Sequence, residues 1–280
     1  MRPDLSIITP SFQQAGWLKL CAASIADQED VIVEHIVQDA GTGAELETWA
    51  AGRPGLTLHV ERDRGMYDAI NRGLRKASGE ILAYLNCDEQ YLPGALAGVC
   101  EFFAANPEVE IAFAHALVVG PAGEFLCCRK AILPQKIHTW VSGNLAILTC
   151  ATFFRRSLVA EKELFFNPEL RAVGDGEWIM RLLDCGTQMA ILPRITSVFV
   201  DQGTNLMLAE GSVREQAALI ESAPAWARAL RPAVLLHYRL RKMAGGAYRQ
   251  PPFDYAIYTP AQPERRTTFH VAEPTFRWRR

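Results

Sequence analysis

The chain has 280 residues, 49% of them hydrophobic, which is ample apolar material for one large α/β domain with an appendage or for two small domains. No window holds the roughly 18–20 uninterrupted apolar residues of a membrane span, and an acid and a proline stand where a signal peptide has its apolar core, so a cytoplasmic protein is expected. The net charge of −2 conceals an asymmetry: residues 231–280 hold ten Lys or Arg against three Asp or Glu, a surplus of +7 that leaves −9 for the first 230. A basic tail on an acidic body suits phospholipid headgroups, a pyrophosphate-bearing substrate or nucleic acid as partner; arginines fastening the tail to its own body would explain it equally well.

In chain order, residues 5–9 and 31–37 are short β-branched runs, and between them Leu18, Cys21, Ala22 and Ile25 recur at helical spacing over 17–26. A strand at 56–60, a helix at 67–77 and a strand at 81–85 follow. This alternation predicts an α/β fold whose mostly parallel sheet is flanked by helices, and in such sheets ligands bind beyond the carboxyl ends of the strands. Three strand ends carry polar groups: Thr9-Pro10-Ser11, Gln38-Asp39 and Asn86-Cys87-Asp88-Glu89. Further along, the pattern predicts a helix over 94–105, a strand over 110–114 and a hairpin through Gly120–Gly123. The segment 143–154 is of undecided type. A helix follows over 176–185, stopped at Gly186. Residues 208–229 read as a helix broken near Pro224, 233–243 as a short basic helix, and 255–259 with 267–271 as paired strands. The seven cysteines, whose closest pair is the adjacent Cys127 and Cys128, form no CxxC pattern, so reduced thiols and no zinc site are expected.

Four blocks in this order, LSIITPSFQQAGWLKLCAASIADQ, VQDAGT, ERDRGMYDAINRGLRKASGEILAYLNCDE and VGDGEWIMRLLDCG, resemble the family 2 glycosyltransferases of the GT-A fold, especially the bacterial enzymes that build surface polysaccharides. The resemblance covers residues 4 to about 205. It implies a GT-A domain over 1–205, with 1–106 the nucleotide-binding half and 107–205 the acceptor-binding half, and a helical, aromatic and basic extension over 206–280. It further implies a nucleotide-sugar donor, usually UDP-linked, a divalent metal (Mn²⁺ or Mg²⁺) and usually inversion at the anomeric carbon.

The chemistry of the residues agrees with the resemblance. A departing diphosphate is stabilised by a hard cation that needs one or two carboxylates. Asp88 stands where the family's DxD-type motif stands and is the expected metal ligand, with Asn86 beside it; Glu89 replaces the aspartate usual at that place. Asp39 matches the family's nucleotide-binding aspartate, although Asp before small residues also forms turns. Thr9, Pro10 and Ser11 would line the ribose and base. Asp63, Asp68 and Asn71 match the donor-binding block, and Asp68 and Asn71, three apart, share a helix face.

Inverting transfer needs a carboxylate to take the proton of the acceptor hydroxyl. Asp175 matches the family's proposed base and could also cap the helix that follows; Glu177 is the fallback. Trp178 could stack on a sugar or sit in the core. Arg64 and Arg72 are phosphate candidates, and His115 and His138 metal or phosphate candidates, each more easily read as structural. The expected activity is transfer of a sugar to a hydroxyl of a polysaccharide or a lipid-linked glycan, with possible peripheral contact of the basic tail with an anionic membrane and no nucleic acid. Two alternatives stay open: a nucleotidyltransferase acting on sugar phosphates, although no glycine-rich basic loop follows the first strand, and a catalytically weak nucleotide-sugar-binding or scaffold protein.

Overall fold

The computed structural model describes residues 2–142, 145–203 and 210–278. The expected domain boundary at 205/206, the start of the helix expected from 208 and the first residues of the 143–154 segment lie outside these.

The first half is a series of β-α-β units: β1 (Leu5–Ser11), α1 (Ala15–Ala26), β2 (Val33–Asp39), α2 (Ala44–Ala50), β3 (Leu56–Val60), α3 (Met66–Lys76) and β4 (Ile81–Tyr84). β3, β2, β1 and β4 lie side by side and all pair in parallel. β1 is buried along its whole length, which a central strand covered by helices on both faces requires. Leu5 and Ile7 pack with Cys21 and Ile25 of α1, while Ile8 packs with Ile70 and Leu74 of α3.

The chain continues through β5 (Gln90–Tyr91), α4 (Ala95–Ala105), β6 (Ile111–Val119), β7 (Phe125–Arg129) and α5 (Lys136–Ser142). After these come β8 (Thr152–Arg155), α6 (Ser157–Ala160), α7 (Gly174–Asp184) and β9 (Met189–Val200). The sheet order is β3-β2-β1-β4-β8-β6-β9-β5, with β7 also on β6. Here the pairing is mixed: β8 runs antiparallel to both β4 and β6, β5 to β9 and β7 to β6, whereas β6 and β9 are parallel. The parallel register expected from the alternation therefore holds for the first half, and the second half departs from it because hairpins and a returning strand replace the helix crossovers.

β9 has no counterpart in the sequence reading. Pro193 and Arg194 interrupt its apolar run, and the structure accommodates them as a bulge: Ala114 opposes Leu192, while the next residue, His115, opposes Ile195.

The C-terminal segment forms α8 (Glu210–Glu221), α9 (Ala225–Ala229), α10 (Arg231–Ala244) and an antiparallel hairpin of β10 (Phe253–Thr259) and β11 (Gln262–Val271). The hairpin shares a core with the body: Tyr255, Ile257 and Val271 pack with Leu117, Val119 and Val198. Arg266 explains part of the basic tail, since its guanidinium pairs with Asp27 and also donates to the carbonyls of Tyr91 and Ala256.

The two halves are tied by Asn71 on α3. Its amide donates to the Phe166 carbonyl at 2.8 Å and accepts from the Phe166 N–H at 2.9 Å, with the side chain 2% exposed. Asn71→Ala would leave both backbone groups buried and unpaired, and it is expected to lower stability by about 2–4 kcal/mol in urea titrations.

Candidate functional site

A cavity of about 1040 Å³ opens beyond the carboxyl ends of the parallel strands. Its strand-end wall is built from Pro10 and Ser11 at the end of β1 and from Asn86, Cys87 and Asp88 after β4; Arg62, Asp63 and Gly65 precede α3. The opposite wall comes from the second half: Thr139, Thr149, Arg171, Asp175 and Gly176. Arg129 of β7 also borders the cavity, and the C-terminal segment adds Leu235, Tyr238, Lys242 and Trp278.

Asp175 sits in the first turn of α7, whose N-cap, Val173, offers no side chain to the helix start. Just before the helix, the backbone N–H groups of Arg171, Ala172 and Val173 meet the carboxylate of Glu215 on α8, which fixes the segment leading into α7. Asp175 lies in the first turn itself; its Oδ1 accepts from the Gly176 N–H at 2.8 Å and from the Tyr67 hydroxyl at 3.4 Å. Burial raises its carboxyl to about 6, against the opposing pull of these hydrogen bonds. Tyr67 is itself clamped, its ring stacked on Phe166 and its hydroxyl also reached by the Asp175 N–H. Residue 174 must be glycine, because a Cβ there would stand 2.5 Å from the Tyr67 ring.

On the other wall, Asp88 is partly buried and its Oδ2 accepts from the Gln202 amide at 2.8 Å. Burial raises its carboxyl above the usual range. Among the described residues no group of three or more His, Cys, Asp or Glu could hold a metal ion. The donor set therefore suits a hard cation bound by one carboxylate, with substrate phosphate and water completing its shell, rather than a preformed protein cage. Ser11 borders the cavity, and its buried hydroxyl has no hydrogen-bond partner within the protein. Arg129 and Lys242 lie close enough that burial first, then the Arg129 guanidinium, lowers the Lys242 ammonium.

Residues 6–120 match the family model described as Glycosyl transferase family 2. Over these residues the chain is similar to the family 2 glycosyltransferases. Among its relatives, an uncharacterized glycosyltransferase of Mycobacterium tuberculosis (strain H37Rv) is 29% identical over 185 residues, 64% of this chain and 68% of that protein. A PGL/p-HBAD biosynthesis glycosyltransferase of Mycobacterium bovis (strain BCG) is 31% identical over 122 residues, 41% of this chain and 48% of that protein. Of solved structures, S. aureus TarS in complex with UDP-GlcNAc superposes with a TM-score of 0.58 at 15% identity, over 86% of this chain and 73% of that one. The fold is accordingly the GT-A type.

Within this glycosyltransferase, six of the site residues expected from the sequence meet at the cavity: Pro10, Ser11, Asp63, Asn86, Asp88 and Asp175. Five expected donor-binding residues do not line it. Thr9 is fully buried, its hydroxyl 2.9 Å from the His35 ring. Asp39 forms a turn, accepting from the N–H groups of Gly41 and Thr42 and from the Thr42 hydroxyl. Asp68 pairs with Arg72 and Arg64, and Asn71 holds Phe166. Glu89 accepts from the Asn86 N–H and lies behind the strand end, where burial and the nearby Asp88 push its carboxyl up to about 8. Its side chain reaches back into the protein and holds the turn that leads to Asp88.

The remaining candidates have partners within the protein. Trp178 is core, 2% exposed and stacked on Phe166, and Glu177 pairs with Arg181. Arg72 also binds Glu61, and Arg64 also meets Glu169. His138 lies 3.1 Å from His237 of α10, and His115 borders a separate cavity of about 580 Å³. Gln202, Glu215, Arg129, Lys242 and Trp278 were not singled out in the sequence. Each stands far along the chain from the groups it meets, so no local pattern marks it.

Proposed function

We propose that this glycosyltransferase moves a sugar from a UDP-linked donor to a hydroxyl of a polysaccharide or a lipid-linked glycan, with inversion and with the aid of Mn²⁺ or Mg²⁺. The observation that carries the reading is the pairing of two unlike sites in one cavity. Asp175 offers a carboxylate poised near neutrality, and the facing strand ends offer Asp88 and an unpaired Ser11 hydroxyl. UDP is the favoured nucleotide because the TarS structures of the same fold are complexes with UDP-GlcNAc or UDP.

In this reading Ser11 and Pro10 hold the nucleoside, and Asp88, with Asn86 beside it, holds the cation. That cation, when bound, neutralises charge on the diphosphate. Asp175 takes the proton of the acceptor hydroxyl while its oxygen bonds to the anomeric carbon and the bond from that carbon to the diphosphate oxygen breaks. Arg129 and Lys242 face the charge that develops on the leaving diphosphate. Tyr67 keeps the Asp175 carboxylate oriented through the step.

Donor hydrolysis tests the assignment without knowledge of the acceptor. Incubation with a panel of UDP-, GDP- and dTDP-sugars and Mn²⁺ is expected to release UDP slowly from a UDP-sugar. Release from no nucleotide sugar would overturn the reading and favour a binding or scaffold role.

A further inference from the structure

Helix α10 has two working faces. Leu235, Tyr238 and Lys242 border the cavity, and Val234 is buried with Val141 of α5 and Ala227 of α9. On the outer side Leu236, Leu240 and Met243, spaced i, i+4 and i+7, form one stripe along the helix, and each is more than half exposed. Trp226 and Leu230, on and just after α9, are also more than half exposed. Single exposed apolar residues are ordinary, but a run of five on consecutive helices marks a contact surface.

The charge around this surface says what it contacts. From Ser222 to Phe253 the chain holds Arg228, Arg231, Arg239, Arg241, Lys242 and Arg249 and not one Asp or Glu. Arg228, Arg231, Arg239 and Arg249 are exposed. A second copy of the chain docked two-fold on the same surface would set these arginines against their own copies, which is repulsive. An anionic bilayer satisfies both features: apolar side chains enter the headgroup boundary and guanidinium groups meet lipid phosphates. We propose that the outer face of α9 and α10 docks on an anionic lipid surface. The β10–β11 hairpin is not the docking element, because its two arginines are matched by Asp254 and Glu264 and Arg266 is spent on Asp27 and the body.

The docking surface does not depend on what the cavity transfers. If the acceptor is lipid-linked, as the proposed function allows, α10 would bring the cavity wall formed by Tyr238 and Lys242 close to the bilayer that carries it.

Sedimentation of the full chain with vesicles tests the surface. Binding to phosphatidylcholine vesicles containing phosphatidylglycerol, weakened by salt and absent with phosphatidylcholine alone, is expected. Arg231→Gln with Arg239→Gln should weaken it about twenty-five-fold, since each cation near an anionic surface is worth about fivefold. Leu236→Glu with Leu240→Glu should weaken it by about tenfold or more. Melting temperature and donor hydrolysis of both variants should match the parent, since none of the four residues borders the cavity. The proposal is overturned if the parent does not sediment with anionic vesicles or if both variants bind as the parent does. A change of oligomeric state in the leucine variant without vesicles would also overturn it, assigning the face to protein contact.

Discussion

Asp175→Asn is expected to lower turnover by about 10²–10⁴-fold, the range associated with a general base, while leaving the fold intact. The amide keeps an oxygen where Oδ1 accepts from Gly176 and Tyr67. The parent's kcat/KM should rise with pH through about 6, where burial has placed the carboxyl, and this limb should vanish in the variant. Stability moves in the opposite sense. A folded-state pKa above the ordinary carboxylate value contributes stability that is fully present below that ordinary value and is lost as pH rises through about 6. Near pH 8 the parent therefore bears the cost of ionising Asp175 and the amide does not. The variant should be more stable there by about 1–3 kcal/mol, the partial exposure of the site placing it below the full shift. That difference should shrink toward pH 5. Urea titrations at the two pH values, run beside pH–rate profiles, read both effects. Glu177→Gln is the control, expected to stay within a few-fold of the parent because Glu177 is engaged with Arg181; parent-like turnover in Asp175→Asn together with its loss in Glu177→Gln would move the base to Glu177.

Asp88→Asn is expected to abolish Mn²⁺-dependent release of UDP from a UDP-sugar, by about 10²-fold or more, and to remove the Mn²⁺-dependent part of the rise in melting temperature given by UDP. The substitution keeps the size of the side chain and an oxygen for the Gln202 amide, and it removes the cost of holding a charge at a buried position. A lost response therefore reports lost charge at the cation site and not a collapsed turn. Gln202→Ala, which frees the carboxylate to rotate, should weaken Mn²⁺ by about tenfold as the removal of an orienting partner does. An undiminished Mn²⁺-dependent thermal shift in Asp88→Asn would sink the assignment of Asp88 as metal ligand.

The first half of the fold was legible because its signals are local. The β-branched runs of β1 and β2 and the helical spacing of α1 and α3 put the alternation in plain view, and alternation entails a parallel sheet. The second half was harder to read because β9 carries Pro193 and Arg194 inside it, and the bulge that accommodates them is paid for by pairing with β6, which is distant in sequence. Residue type also foretold which groups are polar and near a strand end, but not where their oxygens turn. Asp39 and Asp88 both end strands in the sequence; the first is consumed by the N–H groups of its own loop, whereas the second accepts from Gln202, more than a hundred residues away.

What the sequence by itself determined was the class of fold and the strand ends around which a cavity must form, since spacing and residue type set these over a few residues at a time; the family entered as a resemblance carried by four blocks. Tertiary structure decided which carboxylates face that cavity. It lifted Asp175 near neutrality by burial beside Tyr67, fastened the segment before α7 to Glu215, and brought Arg129, Lys242 and Trp278 to the same wall. The reason is physical: ionisation and orientation depend on desolvation and on partners far along the chain, and these exist once the layers have packed.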